Sequence, residues 1–125
     1  MGMQWNFSED RPIYAQIIEQ MKEFIVSGAV KPGDKLPSVR ELAGDAGVNP
    51  NTMQRAMAEL ESTGLVYSQR TSGRFITERE ELVQSARLEL AREKTGTFLK
   101  SMEQLGFSRA QTADFMKDYK EDDGI

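Results

Sequence analysis

Residues 49–64 read NPNTMQRAMAELESTG, and both ends of a helix are marked in this stretch. Asn49 can accept a hydrogen bond from an orphan backbone N–H of the first turn. Pro50 suits the first helical position because its missing N–H costs nothing there. Gly64 can adopt the left-handed conformation that ends many helices. The stretch therefore predicts one well-delimited helix.

The two faces of this helix differ in character. Apolar residues recur at helical spacing on one face, which predicts that this face is buried: Met53, Ala56, Met57 and Leu60. The opposite face carries Asn51, Arg55 and Ser62, with Gln54 beside them. Amides and a guanidinium on an exposed helix face suit the major groove of DNA.

A shorter helix is predicted just before it, over residues 38–46. Ser38 and Glu41 have the spacing of a capping box. The helix would bury one face and leave Arg40 outside: Val39, Leu42, Ala43 and Ala46 form the buried set. Gly47 ends it, and a three-residue turn leads into the next helix. This succession is typical of a helix-turn-helix.

A longer helix is predicted ahead of both, from Pro12 to about Ser27, with Asp10 as its cap. Its apolar stripe is wide enough for a buried scaffold helix: Ile13, Ile17, Met21 and Phe24, broadened by Tyr14, Ile18 and Ile25. The turn-rich segment 29–37 follows. Its Lys35 can contact phosphate or be an ordinary surface lysine.

Two short β-prone runs follow Gly64, at residues 65–68 and 74–77, around the polar loop 69–73. A hairpin in this position is the wing of a winged helix-turn-helix. Arg70 and Arg74 bracket its tip, where cations suit contact with phosphate or the minor groove. The alternative is that both arginines are solvated turn residues.

The remainder, residues 79–125, is predicted to be helical, with a break or kink at Thr95–Gly96–Thr97 and a last helix capped by Ser108. It carries an apolar stripe that it cannot bury alone: Val83, Ala86, Leu90, Phe98, Met102 and Leu105. The stripe can pack on residues 1–78 or pair with a second copy. We favour pairing, because helix-turn-helix proteins usually read two half-sites as two-fold dimers.

Composition and charge narrow the class of protein. The 125 residues carry a net charge of −4, but the excess acid lies in the tail, and residues 11–79 carry nine Lys or Arg against eight Asp or Glu. DNA affinity must therefore rest on a few well-placed cations. The chain has no apolar run long enough to span a membrane and no basic-then-apolar start. We therefore expect a cytoplasmic protein with no membrane partner.

The motifs PIYAQI, LPSVRELA and VNPNTMQRAMAELE lie within residues 12–76 and together resemble the DNA-binding domain of the GntR family of bacterial transcription regulators. They are most similar to its short YtrA-like branch. The resemblance implies a mainly α fold with a small β-hairpin, namely a winged helix-turn-helix (residues 1–78) followed by a C-terminal helical dimerisation segment (79–125).

The resemblance also implies roles for residues at matching positions. Arg40 matches a family arginine that contacts DNA, and Gly73 matches the wing-tip glycine that approaches the minor groove. The matching positions around the turn and the start of the recognition helix are Asn49, Asn51, Thr52, Gln54 and Arg55. Ser38, at the start of the shorter helix, is a further predicted DNA contact. The wing departs from the family pattern Gly-x-Gly-Thr-Phe-Val, with Thr71 and Arg74 in place of the first glycine and the threonine. Pro50 replaces an arginine found in many branches.

We therefore predict a sequence-specific regulator, a repressor, that binds a (pseudo)palindromic double-stranded DNA operator as a homodimer. Asn51 and Gln54 are the predicted base readers, Arg55 reads guanine or grips phosphate, and the remaining cations position the backbone. A winged helix that binds only proteins is the alternative. The chain has no His and no Cys, which disfavours an enzyme. No cofactor or metal is expected, and a small-molecule effector stays unknown.

Overall fold

The structure, a computed structural model, describes residues 3–121. Over this range the chain forms, in order, α1 (Ile13–Ser27), α2 (Val39–Ala46), α3 (Pro50–Thr63), β1 (Val66–Gln69), β2 (Gly73–Ile76), α4 (Glu80–Gln104) and α5 (Arg109–Asp118). The predicted class, mainly α with a small β-hairpin, is confirmed.

The central element of the core is α3, which packs against α1, α2 and β1. Its predicted inner face is fully buried: Met53, Ala56, Met57 and Leu60. These side chains share one apolar cluster with Ile17 and Met21 of α1, Leu42 of α2, and Val66 and Ile76 of the hairpin. Because three elements pack against α3, its opposite face is the one left to solvent.

The ends of α2 and α3 form as the sequence predicts. The Ser38 hydroxyl accepts from the backbone N–H of Glu41 at 3.1 Å, and the Glu41 carboxylate accepts from the backbone N–H of Ser38 at 3.2 Å. Asn49 Oδ1 accepts from the backbone N–H of Asn51 at 2.7 Å, with Pro50 as the first helical residue. These local bonds satisfy donors that a helix start leaves unpaired, and so they fix where each helix begins.

The start of α1 differs from its prediction. Pro12, not Asp10, is the N-cap residue, and it makes no side-chain cap hydrogen bond. The Asp10 carboxylate instead accepts from the Ser8 hydroxyl. The buried Gln16 holds the incoming chain, since its Nε2 donates to the carbonyls of Ser8 (2.9 Å) and Arg11 (2.8 Å). The buried amide of Gln16 thus holds the chain that enters α1, while the first turn of the helix has no side-chain cap.

The hairpin is antiparallel, with Ser68 opposite Arg74 and Gln69 opposite Gly73. Its second strand is also held on its other edge by the segment that precedes α2. The Leu36 N–H donates to the Arg74 carbonyl at 2.9 Å, and the Ile76 N–H donates to the Asp34 carbonyl at 2.9 Å. β2 is therefore held along both of its edges, from Ile76 to Arg74.

The chain divides into two compact units, one ending at Leu88 and the other beginning at Glu89. The sequence predicts the boundary ten residues earlier, between 78 and 79. The start of α4 belongs to the first unit because Val83 is part of its core, Ala86 packs against that core, and Arg87 donates to the carbonyl of Val26 at 2.7 Å.

The second unit contains the rest of α4 and α5. The predicted break at Thr95–Gly96–Thr97 is wrong, because α4 continues through these residues to Gln104. The Thr95 and Thr97 hydroxyls donate to the carbonyls four residues earlier, at 2.7 and 3.1 Å. These bonds are a common way for threonine to fit inside a helix. The predicted capping box at Ser108 is confirmed, with Gln111 as its partner.

Candidate nucleic-acid interface

The exposed face of α3 presents the polar side chains that the sequence singles out. Asn51, Gln54 and Arg55 are exposed, and Thr52 is half-buried. Within residues 3–121, the side-chain amides of Asn51 and Gln54 take part in no hydrogen bond, so their donors and acceptors remain available to a ligand. Asn49 differs, because its Oδ1 is committed to capping the helix.

Arg55 is held by a neighbouring helix. Its guanidinium carbon lies 4.0 Å from the centroid of the Tyr14 ring of α1, which is a cation–π contact. The contact restricts a long side chain that would otherwise sample many rotamers. Arg55 is therefore presented in a defined position before any ligand binds.

The start of α2 adds a second group of functional side chains. The capping box uses the side chains of Ser38 and Glu41 within the helix, while Arg40 is exposed in the first turn. The first N–H groups of a helix carry partial positive charge, and an arginine beside them strengthens the preference for an anion. This end of α2 is suited to a phosphate.

A cleft of about 820 Å³ lies between the start of α2 and the wing. Five residues predicted from the sequence to contact DNA line it together: Lys35, Ser38, Arg70, Gly73 and Arg74. The other predicted contacts, on α3 and at Arg40, are not part of its lining. The structure thus brings the lysine ahead of α2 close to the wing tip, although Lys35 and Arg70 are 35 positions apart in the sequence.

Gly73 has a backbone conformation that favours glycine, with φ of +108°. A Cβ atom at this position would lie 3.2 Å from Cε of Lys35, which is closer than ordinary packing contacts. Lys35 itself is fixed by a β-bridge to Phe75. Gly73 therefore allows both the turn of the wing and the close approach of the lysine.

Glu61 contacts the wing, although no motif in the sequence singles it out. It lies in the last turns of α3, and its Oε1 accepts from the Ser68 hydroxyl at 2.7 Å and from Nε of Arg74. The hydrogen bonds from Ser68 and then Arg74, together with the Arg74 charge, lower the pKa of Glu61 below its ordinary value. No sequence spacing indicates this contact, because the three residues come from three different elements.

The residues predicted to mediate dimerisation fall into two groups. Val83 lies in the core of the first unit, Ala86 packs against that core, and Leu90 is also buried. These three side chains are therefore buried or partly buried within the single chain and offer little surface to a second copy. Phe98 and Leu105, by contrast, are 40% and 73% exposed, and Met102 is half-buried.

Nothing in residues 3–121 groups His, Cys, Asp or Glu side chains in a way that could hold a metal ion. No helix in the same range is both long enough and apolar enough to cross a membrane. What the described residues do offer is a helix-turn-helix with a polar recognition face, and a wing with a cation-lined cleft. The fold and this site define a winged helix-turn-helix protein of the DNA-binding class.

Comparison with known proteins identifies the family. Residues 13–76 match the family model described as bacterial regulatory proteins, gntR family, and the chain belongs to this family of transcription regulators, which are not enzymes. The HTH-type transcriptional repressor YtrA of Bacillus subtilis (strain 168) is 55% identical over 67 residues, which cover 54% of this chain and 52% of YtrA. The predicted relationship to YtrA-like regulators is thereby confirmed.

Two solved structures extend the comparison. A GntR family transcriptional regulator from Listeria monocytogenes has a TM-score of 0.82 and 38% identity, covering 91% of this chain and all of that one. The DNA-binding domain of AraR, crystallised with operator ORX1, has a TM-score of 0.51 and 36% identity, covering 59% of this chain and 90% of that one. The winged-helix architecture is therefore shared with a domain solved on its operator.

Proposed function

We propose that this protein is a transcriptional repressor that binds a (pseudo)palindromic operator as a homodimer in the cytoplasm. The observation that carries the proposal is the outer face of α3, where Asn51 and Gln54 expose amides that bond to nothing else within the described chain. Amides of this kind can pair bidentately with adenine in the major groove. The name of the relative YtrA supports repression, and the AraR domain crystallised with its operator supports DNA as the ligand.

Each group of residues has a part in the proposed complex. Asn51 and Gln54 read base edges, and Arg55, braced on Tyr14, reads guanine or grips a nearby phosphate. Lys35, Arg40, Thr52 and Arg70 hold the phosphate backbone, together with the helix starts at Ser38 and Asn49. Gly73 allows the wing backbone to approach the minor groove.

Dimerisation is the part of the proposal that gives the operator its symmetry. Phe98 and Leu105 expose large apolar surface in the second unit, and so do Phe115 and Met116 of α5 and Tyr119 just after it. Exposed apolar patches of this kind commonly mark protein–protein contacts. A two-fold pair would present two α3 helices to two half-sites.

Sequencing of DNA fragments selected by the purified protein tests the proposal. We expect enrichment of one sequence with two inverted half-sites about one helical turn apart. Selection of a single unrepeated half-site would contradict the dimeric reading. Recovery of unenriched DNA would favour the alternative, a winged helix that binds only proteins.

A further inference from the structure

One carboxylate connects the recognition helix to both strands of the wing. Glu61 Oε1 accepts from Ser68 of β1 and from Arg74 of β2. Ser68 and Arg74 are directly opposite each other in the β-ladder. The carboxylate thus joins a cross-strand pair to α3 at a single point.

The position of the Ser68–Arg74 pair along the wing decides what Glu61 adds to the contacts that already hold the hairpin. The backbone bonds from Asp34 and Leu36 hold β2 on the edge away from β1. Glu61 contacts the hairpin from α3, one ladder step before the final pair, Gln69 and Gly73. Leu36 already holds the backbone of Arg74 at this level of the wing, so Glu61 adds a hold on β1, through Ser68, and on the side chain of Arg74.

The environment makes the contact stronger than an ordinary surface pair. The side chains of Glu61 and Arg74 are only 30% and 22% exposed. Exposed ion pairs contribute little because water and salt screen them and both side chains lose entropy. Partial burial reduces this screening, and the second hydrogen bond from Ser68 fixes the carboxylate in one orientation.

The contact also changes the interpretation of Arg74. The sequence predicts a DNA contact for it, yet its Nε is directed to Glu61 of its own domain. Arg70 is the other arginine of the wing, and it is exposed in the turn between the strands. Arg70 is therefore the better placed of the two for phosphate.

We propose that Glu61 is a positioning residue, which fixes the wing relative to the recognition helix so that Arg70 and Gly73 reach the DNA backbone while α3 lies in its groove. This inference rests on the proposed operator binding. It assigns Arg74 an internal role, as the partner through which Glu61 holds β2.

Removal of the Glu61 carboxylate changes DNA affinity in opposite directions for a positioning role and for simple electrostatic repulsion. A carboxylate that merely lies near DNA repels phosphate, so its removal strengthens binding. A carboxylate that orients the wing does the opposite, because its removal releases the contacts that the wing makes. The same substitution therefore gives opposite results under the two readings.

The test compares Glu61→Ala with Glu61→Gln. Both variants lose the same charge, but the glutamine keeps an oxygen that can accept from Ser68 and Arg74. In the free protein, we expect NMR order parameters of the amides at 70–73 to fall in Glu61→Ala and to stay near the wild-type values in Glu61→Gln. On the selected operator, Glu61→Ala should bind about threefold to tenfold more weakly than Glu61→Gln.

Equal operator affinity of the two variants, or unchanged order at the wing tip in both, would overturn the inference. Thermal unfolding of each variant shows whether it is folded, and the order parameters are compared only below its transition. Because the order parameters need no DNA, they test the positioning role even if the chain selects no operator. A failure of operator binding itself would appear already in the wild type.

Arg74→Ala, made alone and together with Glu61→Ala, tests the internal role of Arg74. If the two residues act as one unit, the double variant should bind the operator no more weakly than Glu61→Ala alone. An equal additional loss from Arg74→Ala in both backgrounds, with a shallower salt dependence, would instead show that Arg74 contacts phosphate directly.

Discussion

The guanidinium of Arg55 on α3 rests on the ring of Tyr14 on α1, with its central carbon 4.0 Å from the ring centroid. The scaffold helix thus supports a side chain of the recognition helix. An arginine stacked in this way needs less ordering when it binds, which favours affinity and a fixed reading geometry.

The first prediction concerns this contact. Tyr14→Leu should weaken operator binding by about twofold to fivefold, which corresponds to an exposed cation–π contact, and should relax the preference for the base that Arg55 reads. Tyr14→Phe is the matched control, because it keeps the ring and loses only the hydroxyl. Fluorescence anisotropy on the operator and on single-base variants measures both effects; an equal loss in the two variants would rule out the stacking role.

Asn51→Ala should weaken operator binding by about 1–3 kcal/mol, as expected for a lost bidentate base contact, and should barely change binding to random DNA. Ser62→Ala is the control, since Ser62 lies at the far end of α3 and its hydroxyl donates to the carbonyl of Glu59. Competition assays with operator and random duplexes give the two affinities. Parallel losses on both duplexes would show that Asn51 does not read a base.

Arg40→Ala should lower affinity for all DNA sequences to a similar extent. The salt dependence of binding should also become shallower by about one unit of logarithmic slope per bound protomer, because one phosphate contact is lost. Arg92→Ala removes the same charge from an exposed site on α4, outside the first compact unit, and should leave the slope unchanged. Titrations at several salt concentrations provide the slopes, and an unaltered slope for Arg40→Ala contradicts a phosphate contact.

Leu105→Lys should shift the protein from dimer to monomer, because it places a charge on a highly exposed apolar residue that the proposed interface must cover. Gln104→Lys introduces the same charge at the neighbouring exposed position and should leave the dimer intact. Analytical ultracentrifugation gives the association state. If Leu105→Lys stays dimeric with a wild-type dissociation constant, the partner surface lies elsewhere.

The last prediction concerns acid stability. The pKa of Glu61 is lowered in the folded protein, so its ionised form contributes stability that is present above the unfolded value and is lost as the pH falls through the folded value. The difference in free energy of unfolding between the wild type and Glu61→Gln should therefore shrink as the pH falls below about 4.5, the ordinary value for a glutamate. Urea denaturation at several pH values measures this difference, and a pH-independent gap would show that the charge of Glu61 is not involved.

The sequence is a good guide wherever local chemistry decides the structure. Asn49, Gly64 and the Ser38–Glu41 pair mark helix ends through bonds to their own neighbours, so the predicted ends of α2 and α3 are correct. The apolar spacing of α3 likewise predicts its buried face. The two β-prone runs around a polar loop likewise predict the hairpin, and the family resemblance agrees with them.

Contacts between distant residues are beyond the reach of such patterns. Glu61 meets Ser68 and Arg74 because β1 and β2 fold back beside α3, and no spacing in the chain encodes that meeting. Tyr14 belongs to the predicted apolar stripe of α1, yet its ring also supports Arg55. The buried Gln16 looks like a surface residue in the sequence, although it holds the segment ahead of α1.

The break predicted at Thr95–Gly96–Thr97 shows the opposite error, in which a local signal is given too much weight. Weak helix formers cost about 0.5–1 kcal/mol each, and the flanking turns of a long helix can offset that. The threonine hydroxyls stay hydrogen-bonded inside the helix, through carbonyls of the preceding turn.

The placement of Val83 in the core of the first unit has a practical consequence for anyone who wants to isolate the winged helix by truncation. A fragment cut at residue 78, the domain boundary predicted from the sequence, would remove Leu82 and Val83 and leave the apolar surface beneath them open to water. A fragment cut after Leu88 retains the first two turns of α4 as a cover. The first two turns of α4 are thus part of the folded winged helix.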